Sequence, residues 1–168
     1  MHGKQFQAKA SVPAQTGFTL VELIMVMVLM GILATVALPR FNFSGFDEVG
    51  FRDKLKATIE FARKSAVAQR RITCLTLGSN TLTLTADNVP SDAPGAGTCP
   101  RPLVLPTSDG ACGGISNAVC APNGVVVAGP VALQFDPLGR PSAAAVFTVS
   151  GGTVSYSVNV AAETGYVQ

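Results

Sequence analysis

The sequence predicts an α+β protein in which a long N-terminal helix packs on a C-terminal antiparallel β-sheet domain. Two observations predict this class. From Phe18 to Leu38 the chain is predominantly apolar and has one charge, Glu22, and a helical pattern follows over 40–71. After Arg71 the hydrophobic period changes to two, which is typical of strands. We therefore expect the helix to have a membrane-spanning first half and an amphipathic second half.

Residues 18–39 are predicted to form a transmembrane helix. About 20 apolar residues in a helix cross a hydrocarbon core of about 30 Å, and this run is long enough. Residues 1–17 are polar and contain Lys4 and Lys9, so the positive-inside rule places this end in the cytoplasm. A charge within a membrane span is costly, and Glu22 therefore indicates a function and a partner.

Two residues interrupt the helical pattern of the apolar run, Gly31 and Pro39. Proline inside a helix removes a hydrogen bond and clashes with the preceding turn, so we expect a kink or local melting near Pro39. A second interpretation is that Pro39 ends the membrane helix. Over 40–71, apolar residues recur at steps of three or four, from Phe51 to Gln69, which is typical of an amphipathic helix.

The segment 72–168 is expected to form the β domain. Alternating residues on both sides of Gly78-Ser79-Asn80 predict a β-hairpin. Residues 86–123 are rich in proline and glycine and predict a long loop, with at most a short strand at Leu103-Val104-Leu105. Four further runs have a strand pattern and are separated by turn residues: 125–127, 131–135, 145–149 and 154–160.

All four cysteines lie in this predicted domain: Cys74, Cys99, Cys112 and Cys120. An even number of cysteines beyond a membrane predicts disulfides. Three pairings can be drawn, and the sequence favours the one whose two loops are shortest in total, Cys74 with Cys99 and Cys112 with Cys120. Such bridges would tether the loop 86–123. The spacing lacks a C-x-x-C pair, so a zinc site is not expected.

The composition excludes several classes of function. The net charge is +2, and two lysines before Gly17 supply this excess, which argues against a strongly electrostatic nucleic-acid binder. The only histidine, His2, lies in the same segment, so the rest of the chain has no His-based catalysis or metal ligation. Scattered carboxylates such as Asp87 and Asp109 are expected in loops and turns. We therefore expect no enzyme, no cofactor and no metal.

The run Gly17-Phe18-Thr19-Leu20-Val21-Glu22, followed by the apolar helix, resembles the processing site of a type IV prepilin or a type II secretion pseudopilin. The resemblance implies that prepilin peptidase removes 1–17 as a leader and N-methylates Phe18. It implies that Glu22 is the assembly carboxylate, which pairs with the terminus of a neighbouring subunit. A secretory signal peptide and a plain membrane anchor are the competing interpretations, and neither gives Glu22 a role.

The resemblance also implies partners and a location. The partners are prepilin peptidase, other pilins or pseudopilins of the same filament, and the inner-membrane assembly platform. The chain would cross the bacterial inner membrane once, with its N-terminus in the cytoplasm and its C-terminal domain in the periplasm, and would then enter a filament. The subunit would be non-catalytic, and the resemblance does not separate a pilus from a secretion system.

The chain is most similar to the H-type minor pseudopilin and FimT-type minor pilin group. It also resembles the minor pilin C of mannose-sensitive haemagglutinin pili. The similarity lies in 61–71, in the turn 136–140 and in the ending 163–167. It implies a minor subunit that primes or tips a filament. A DNA-binding minor pilin is the alternative, although no Lys or Arg follows Arg140. A major subunit and an anchor unrelated to filaments also remain open.

Overall fold

The computed structural model describes residues 17–37, 45–152 and 154–168. The chain divides into two compact units, Met1–Asn42 and Phe43–Gln168. The first unit contains helix α1 (Leu20–Ala37), which continues without a break through Gly31. In the described part of the chain, no helix has both the length and the apolar character needed to cross a membrane. The predicted span, 18–39, extends beyond the end of α1. Its last residues, including Pro39, lie outside the described residues.

The second unit opens with helix α2 (Phe46–Gln69), within the segment 40–71 that the apolar spacing predicted. Residues 40–44 of that segment lie outside the described residues. One face of α2 is buried, because its apolar side chains recur every three or four positions and meet the sheets. Gln69, expected on that face, is exposed instead. The buried apolar side chains, each at most 3% exposed, are Phe51, Leu55, Ile59, Ala62 and Ala66.

Eight strands follow α2, and every pairing between them is antiparallel. The first sheet has the order β3–β2–β1–β6, with β4 also paired to β2, and the second has the order β5–β7–β8. The strands are β1 (Thr73–Leu77), β2 (Thr81–Ala86), β3 (Arg101–Pro102), β4 (Ala118–Cys120), β5 (Val126–Ala128), β6 (Ala132–Phe135), β7 (Ala145–Gly151) and β8 (Val154–Val160).

Helix α2 packs on strands of both sheets, so the two sheets and the helix enclose one core. The predicted hairpin is β1–β2, and its register pairs Leu75 with Leu84, both buried. Phe135 of β6 and Phe147 of β7 are the largest side chains that are fully buried. The predicted α+β class, a helix on an antiparallel β-sheet domain, is confirmed.

The segment 86–123 is more ordered than the loop that its proline and glycine content predicts. It contains β3, β4 and a single turn of 3₁₀ helix at Gly110–Cys112. The short strand lies at Arg101–Pro102 and not at 103–105, where the apolar residues pointed. Pro102 has no backbone N–H to donate. It is tolerated there because β3 is an edge strand, and one side of an edge strand needs no hydrogen bonds to a neighbour.

Candidate functional site

The predicted assembly residue, Glu22, lies in the first turn of α1. Thr19 precedes the helix, and its Oγ1 accepts a hydrogen bond of 3.3 Å from the backbone N–H of Glu22. Threonine with glutamate three residues later is a known signal for a helix start. The Glu22 side chain is exposed and forms no ion pair with any other described residue. Within the described residues, the hydrogen bond of its backbone N–H to Thr19 is thus the contact that positions Glu22.

The predicted cleavage site, between Gly17 and Phe18, precedes the first helical residue. Phe18 is 85% exposed, and the backbone of both residues has no regular secondary structure. A Cβ atom placed on Gly17 would meet no atom within 4 Å. The fold of the described residues therefore does not require a glycine at this position, and a requirement for it would come from an enzyme that reads the site.

Helix α1 has apolar side chains on every side, and these side chains are exposed. Its large apolar side chains with a described environment are between 48% and 74% exposed, from Val26 to Leu20. A helix that is hydrophobic all round is normally buried in a large core or in a membrane. Gly31 lies in the middle of it, and a Cβ there would meet nothing within 4 Å. The described residues thus leave the apolar surface of this helix exposed.

In the second unit, a disulfide joins Cys74 of β1 to Cys99, with a Cα–Cα distance of 6.1 Å. Asp87, which is 0% exposed, lies inside the loop that this bridge closes. Its carboxylate accepts hydrogen bonds from the backbone N–H groups of Gly97 at 2.5 Å and Cys99 at 2.6 Å. These bonds give the buried Asp87 carboxylate its hydrogen-bond partners. They also fix the backbone of the segment that leads to Cys99.

The second disulfide, Cys112–Cys120, has a Cα–Cα distance of 5.3 Å and is accompanied by Asp109 in a similar way. The Asp109 carboxylate accepts backbone hydrogen bonds from Ala111 at 3.1 Å and Cys120 at 2.9 Å. Lys54 of α2 places its Nζ 2.6 Å from Oδ1 of Asp109. Burial raises the pKa of this carboxyl, but the lysine and the two N–H donors outweigh it and hold the pKa below its usual value.

The two bridges form the pairing with the smallest combined loop length, which is the pairing that the sequence favoured. The roles of Asp87 and Asp109 were missed, since both were expected to be ordinary loop residues. One faint signal exists. Asp87 precedes Cys99 by 12 residues and Asp109 precedes Cys120 by 11, so each aspartate stands at a similar distance before the second cysteine of its bridge.

The two turns singled out in the sequence, 136–140 and 163–167, meet at α2. Arg63 Nε donates a hydrogen bond of 3.1 Å to the carbonyl oxygen of Gly139. Gly165 has φ +63°, and a Cβ there would overlap that same carbonyl oxygen. Within the first turn, the Asp136 carboxylate accepts 2.9 Å bonds from the backbone N–H groups of Leu138 and Arg140. The turns therefore hold each other against the helix.

Comparison with known proteins gives two kinds of match. Residues 13–38 match the family described as the prokaryotic N-terminal methylation motif. Among solved structures, the chain is similar to the minor pseudopilin EpsH from the Type 2 Secretion System of Vibrio cholerae. The identity is 9% and the TM-score 0.51, over 76% of this chain and 95% of that one.

The type IV minor pilin FimU of Pseudomonas aeruginosa matches with 15% identity and a TM-score of 0.49, over 76% of this chain and 87% of that one. No curated protein matches the sequence. The chain thus carries the N-terminal methylation motif of prokaryotic pilins, and most of it shares the fold of a minor pseudopilin.

Proposed function

We propose that this chain is a minor pilin or pseudopilin, a non-catalytic subunit of a type IV pilus or a type II secretion pseudopilus. It is inserted in the inner membrane with its N-terminus in the cytoplasm and residues 72–168 in the periplasm. Prepilin peptidase cleaves it between Gly17 and Phe18 and methylates Phe18, after which it enters the filament. A role in priming or tipping the filament is part of the proposal and is supported by the resemblance to minor subunits.

The observation that carries the proposal is that α1 is apolar and exposed on every side, with one free carboxylate in its first turn. The full run 18–39, of which α1 is the described part, is long enough for a lipid environment. It can leave lipid only where other apolar helices replace the acyl chains around it, as they would in a filament core.

The position of Glu22 supports the pairing with a neighbouring terminus. A carboxylate among packed apolar helices is costly unless an opposite charge meets it. Cleavage at Gly17 creates an amine on Phe18, and the described residues supply no other cation to Glu22. The amine of one subunit and the carboxylate of the next would therefore neutralise each other.

Replacement of Glu22 tests this function. We expect Glu22→Ala to leave the chain in the membrane fraction, because removing a charge favours insertion, and to reduce its amount in sheared filaments at least tenfold. Glu22→Asp is the matched control, since it keeps the charge, and it should retain much of the wild-type amount. Wild-type levels of Glu22→Ala in filaments would contradict the proposed pairing.

A DNA-binding role is the second candidate, and three arginines at the end of α2 favour it. Arg70 and Arg71 follow the helix directly, and Arg101 Nη2 donates a 2.5 Å hydrogen bond to Gln69 Oε1 at its last turn. None of the three forms an ion pair with a described carboxylate. A gel-shift assay across a salt series tests this role, because phosphate contacts weaken steeply as salt rises.

A further inference from the structure

Strand β8 (Val154–Val160) forms an edge of the second sheet, since β7 is its neighbour on one side. Its other side is paired at the C-terminal end of the strand. There the backbone N–H and C=O groups of Asn159 exchange hydrogen bonds of 2.8 and 3.0 Å with Gln168, and Val160 forms an antiparallel bridge with Val167. This side of β8 therefore accepts an extended chain as a neighbour.

The remainder of that side, residues 154–158, is called the open β8 edge below. In an antiparallel strand, the N–H and C=O groups of successive residues point alternately to the two sides. Because those of Asn159 point away from β7, those of Ser155 and Ser157 point away from it too. In the parts of the chain that the structure describes, no hydrogen bond from outside the β7–β8 ladder reaches these groups, and both residues are exposed. The open β8 edge thus presents backbone donors and acceptors to solvent with the spacing of a β-ladder.

The edges at β3, β5 and β6 are protected, in contrast. Strand β3 has two residues, one of which is Pro102. On β5 the N–H of Val127 donates a 3.2 Å hydrogen bond to Oδ1 of Asn80. On β6 the carbonyl oxygen of Gln134 accepts a 2.8 Å hydrogen bond from the N–H of Ser142. Strand β8 has seven residues, none of them charged and none a proline. Because proteins normally protect their edge strands, an edge left open in this way is a surface for pairing with another chain.

The side chains along the open β8 edge specify the chemistry of its neighbour. Val154 and Tyr156 point to the same face as the buried Val158, yet Val154 is 41% exposed and Tyr156 is half-buried. A further strand would cover both. Strands β7 and β8 carry no charged side chain, so a charge on that further strand would lose water without gaining an ionic partner. The edge therefore fits an extended, uncharged segment.

We propose that the open β8 edge binds one extended, uncharged strand of a different pilin or pseudopilin in the same filament, whose backbone pairs with Ser155 and Ser157. The inference rests on the proposed function for two reasons. Each backbone hydrogen bond contributes little net free energy in water, so a contact this short binds only where packed α1 helices raise the local concentration of the partner. A minor subunit also has different subunits beside it, and the contact needs a single copy of this chain.

Photo-crosslinking in the full-length chain tests this contact. A benzoylphenylalanine replaces Ser155, cells that assemble filaments are irradiated, and adducts from sheared filaments are identified by peptide mass spectrometry. We expect an adduct with a different subunit of the filament, attached within a segment of that subunit that has no charged residue. Val126 is the matched control position, because it lies in the same row of the sheet as Ser155 but on β5, at the far edge. A benzoylphenylalanine there, about 10 Å away, should not give this attachment.

Two substitutions at Ser157 separate backbone pairing from a side-chain contact. Ser157→Pro removes an N–H that the β7 ladder does not use, so the sheet is kept while the added strand loses a hydrogen bond. We expect it to lower the adduct yield roughly tenfold, the upper end for one lost hydrogen bond in water. Ser157→Ala is the matched control, since it keeps the N–H and should leave the yield unchanged. Urea midpoints show whether both variants fold. If Ser157→Pro does not, Ser157→Lys takes its place, because lysine on an edge strand deters pairing.

Several outcomes would overturn the inference: no adduct, an equal adduct from Val126, an adduct of two copies of this chain, or an adduct with a protein outside the filament. A wild-type adduct yield from folded Ser157→Pro would overturn it as well. Absence of the wild-type chain from the filament fraction would instead contradict the proposed function, so the two failures are distinguishable.

Discussion

The backbone N–H of Cys99 donates a 2.6 Å hydrogen bond to Oδ1 of Asp87, a side chain with no exposed surface. Asp109 repeats this relationship with Cys120 at 2.9 Å. Each disulfide of the second unit is therefore accompanied by a buried carboxylate that holds the N–H of its second cysteine. The covalent bridge limits how far the loop can move, and the carboxylate fixes how the loop turns. Both pairs should thus contribute to the stability of this unit.

We predict that Asp87→Asn lowers the free energy of unfolding by about 2 kcal/mol, the range for a lost charge-assisted hydrogen bond. The amide can accept from only one of the two N–H groups, since its NH₂ faces the other as a second donor. Urea unfolding of the purified full-length chain in detergent, with disulfides intact, measures the change. Asp92→Asn is the control, because Asp92 is exposed and should shift the midpoint little. Equal midpoints for both variants would contradict the role of Asp87.

The lowered pKa of Asp109 predicts a loss of stability in acid. Because the folded-state pKa lies below its ordinary value of 3.8, the charged carboxylate stabilises the fold above that pH. The stabilisation is lost as the pH falls through the folded-state pKa. Asp109→Asn should therefore reduce stability at neutral pH and flatten the decline of the urea midpoint below about pH 4. Lys54→Met, which removes one source of the lowered pKa, should move the decline to higher pH. Parallel pH profiles for the wild type and Asp109→Asn would exclude this coupling.

Two glycine-to-alanine substitutions should act in opposite directions. Gly165 has a left-handed backbone and its Cβ would overlap the Gly139 carbonyl oxygen, so Gly165→Ala should cost about 2 kcal/mol. Gly50 lies inside α2, where a Cβ meets nothing within 4 Å, so Gly50→Ala should stabilise by up to about 1 kcal/mol. Thermal unfolding followed by circular dichroism compares them. If Gly165→Ala melts at the wild-type temperature, the two turns are not packed as described.

At the cleavage site, Gly17→Val should block processing without disturbing the fold. A Cβ atom at this position meets no atom within 4 Å, so we expect the effect to come from recognition by the peptidase. On an immunoblot the variant should migrate as the larger, unprocessed species, with the same urea midpoint as the uncleaved wild type. A processed Gly17→Val chain would show that the glycine is not read by the enzyme.

Local patterns predicted much of the fold. The buried face of α2, from Phe51 to Ala66, follows from spacing of three and four residues, because helical geometry is set within a few residues. The β1–β2 hairpin follows from strict alternation around a turn that contains Asn80, whose φ of +58° suits asparagine. The disulfide pairing agrees with loop length. In each case the signal and the structure lie close together in sequence.

The features that sequence reasoning missed depend on distant contacts. Asp109 is a structural residue only because Lys54 and the backbone at Cys120 reach it, and neither has a local signature. The strand at Arg101–Pro102 forms because β2 offers it an edge, whereas the neighbouring apolar run made 103–105 the expected place.

The central claim is that this chain is a processed filament subunit with a methylated first residue. Intact-mass and N-terminal peptide mass spectrometry of the chain, purified from cells that carry the prepilin peptidase, tests it most directly. We predict a chain that begins at Phe18, carries one methyl group on its amine and contains two disulfides. A chain that retains residues 1–17 in those cells, or is cleaved at any other bond, would contradict it.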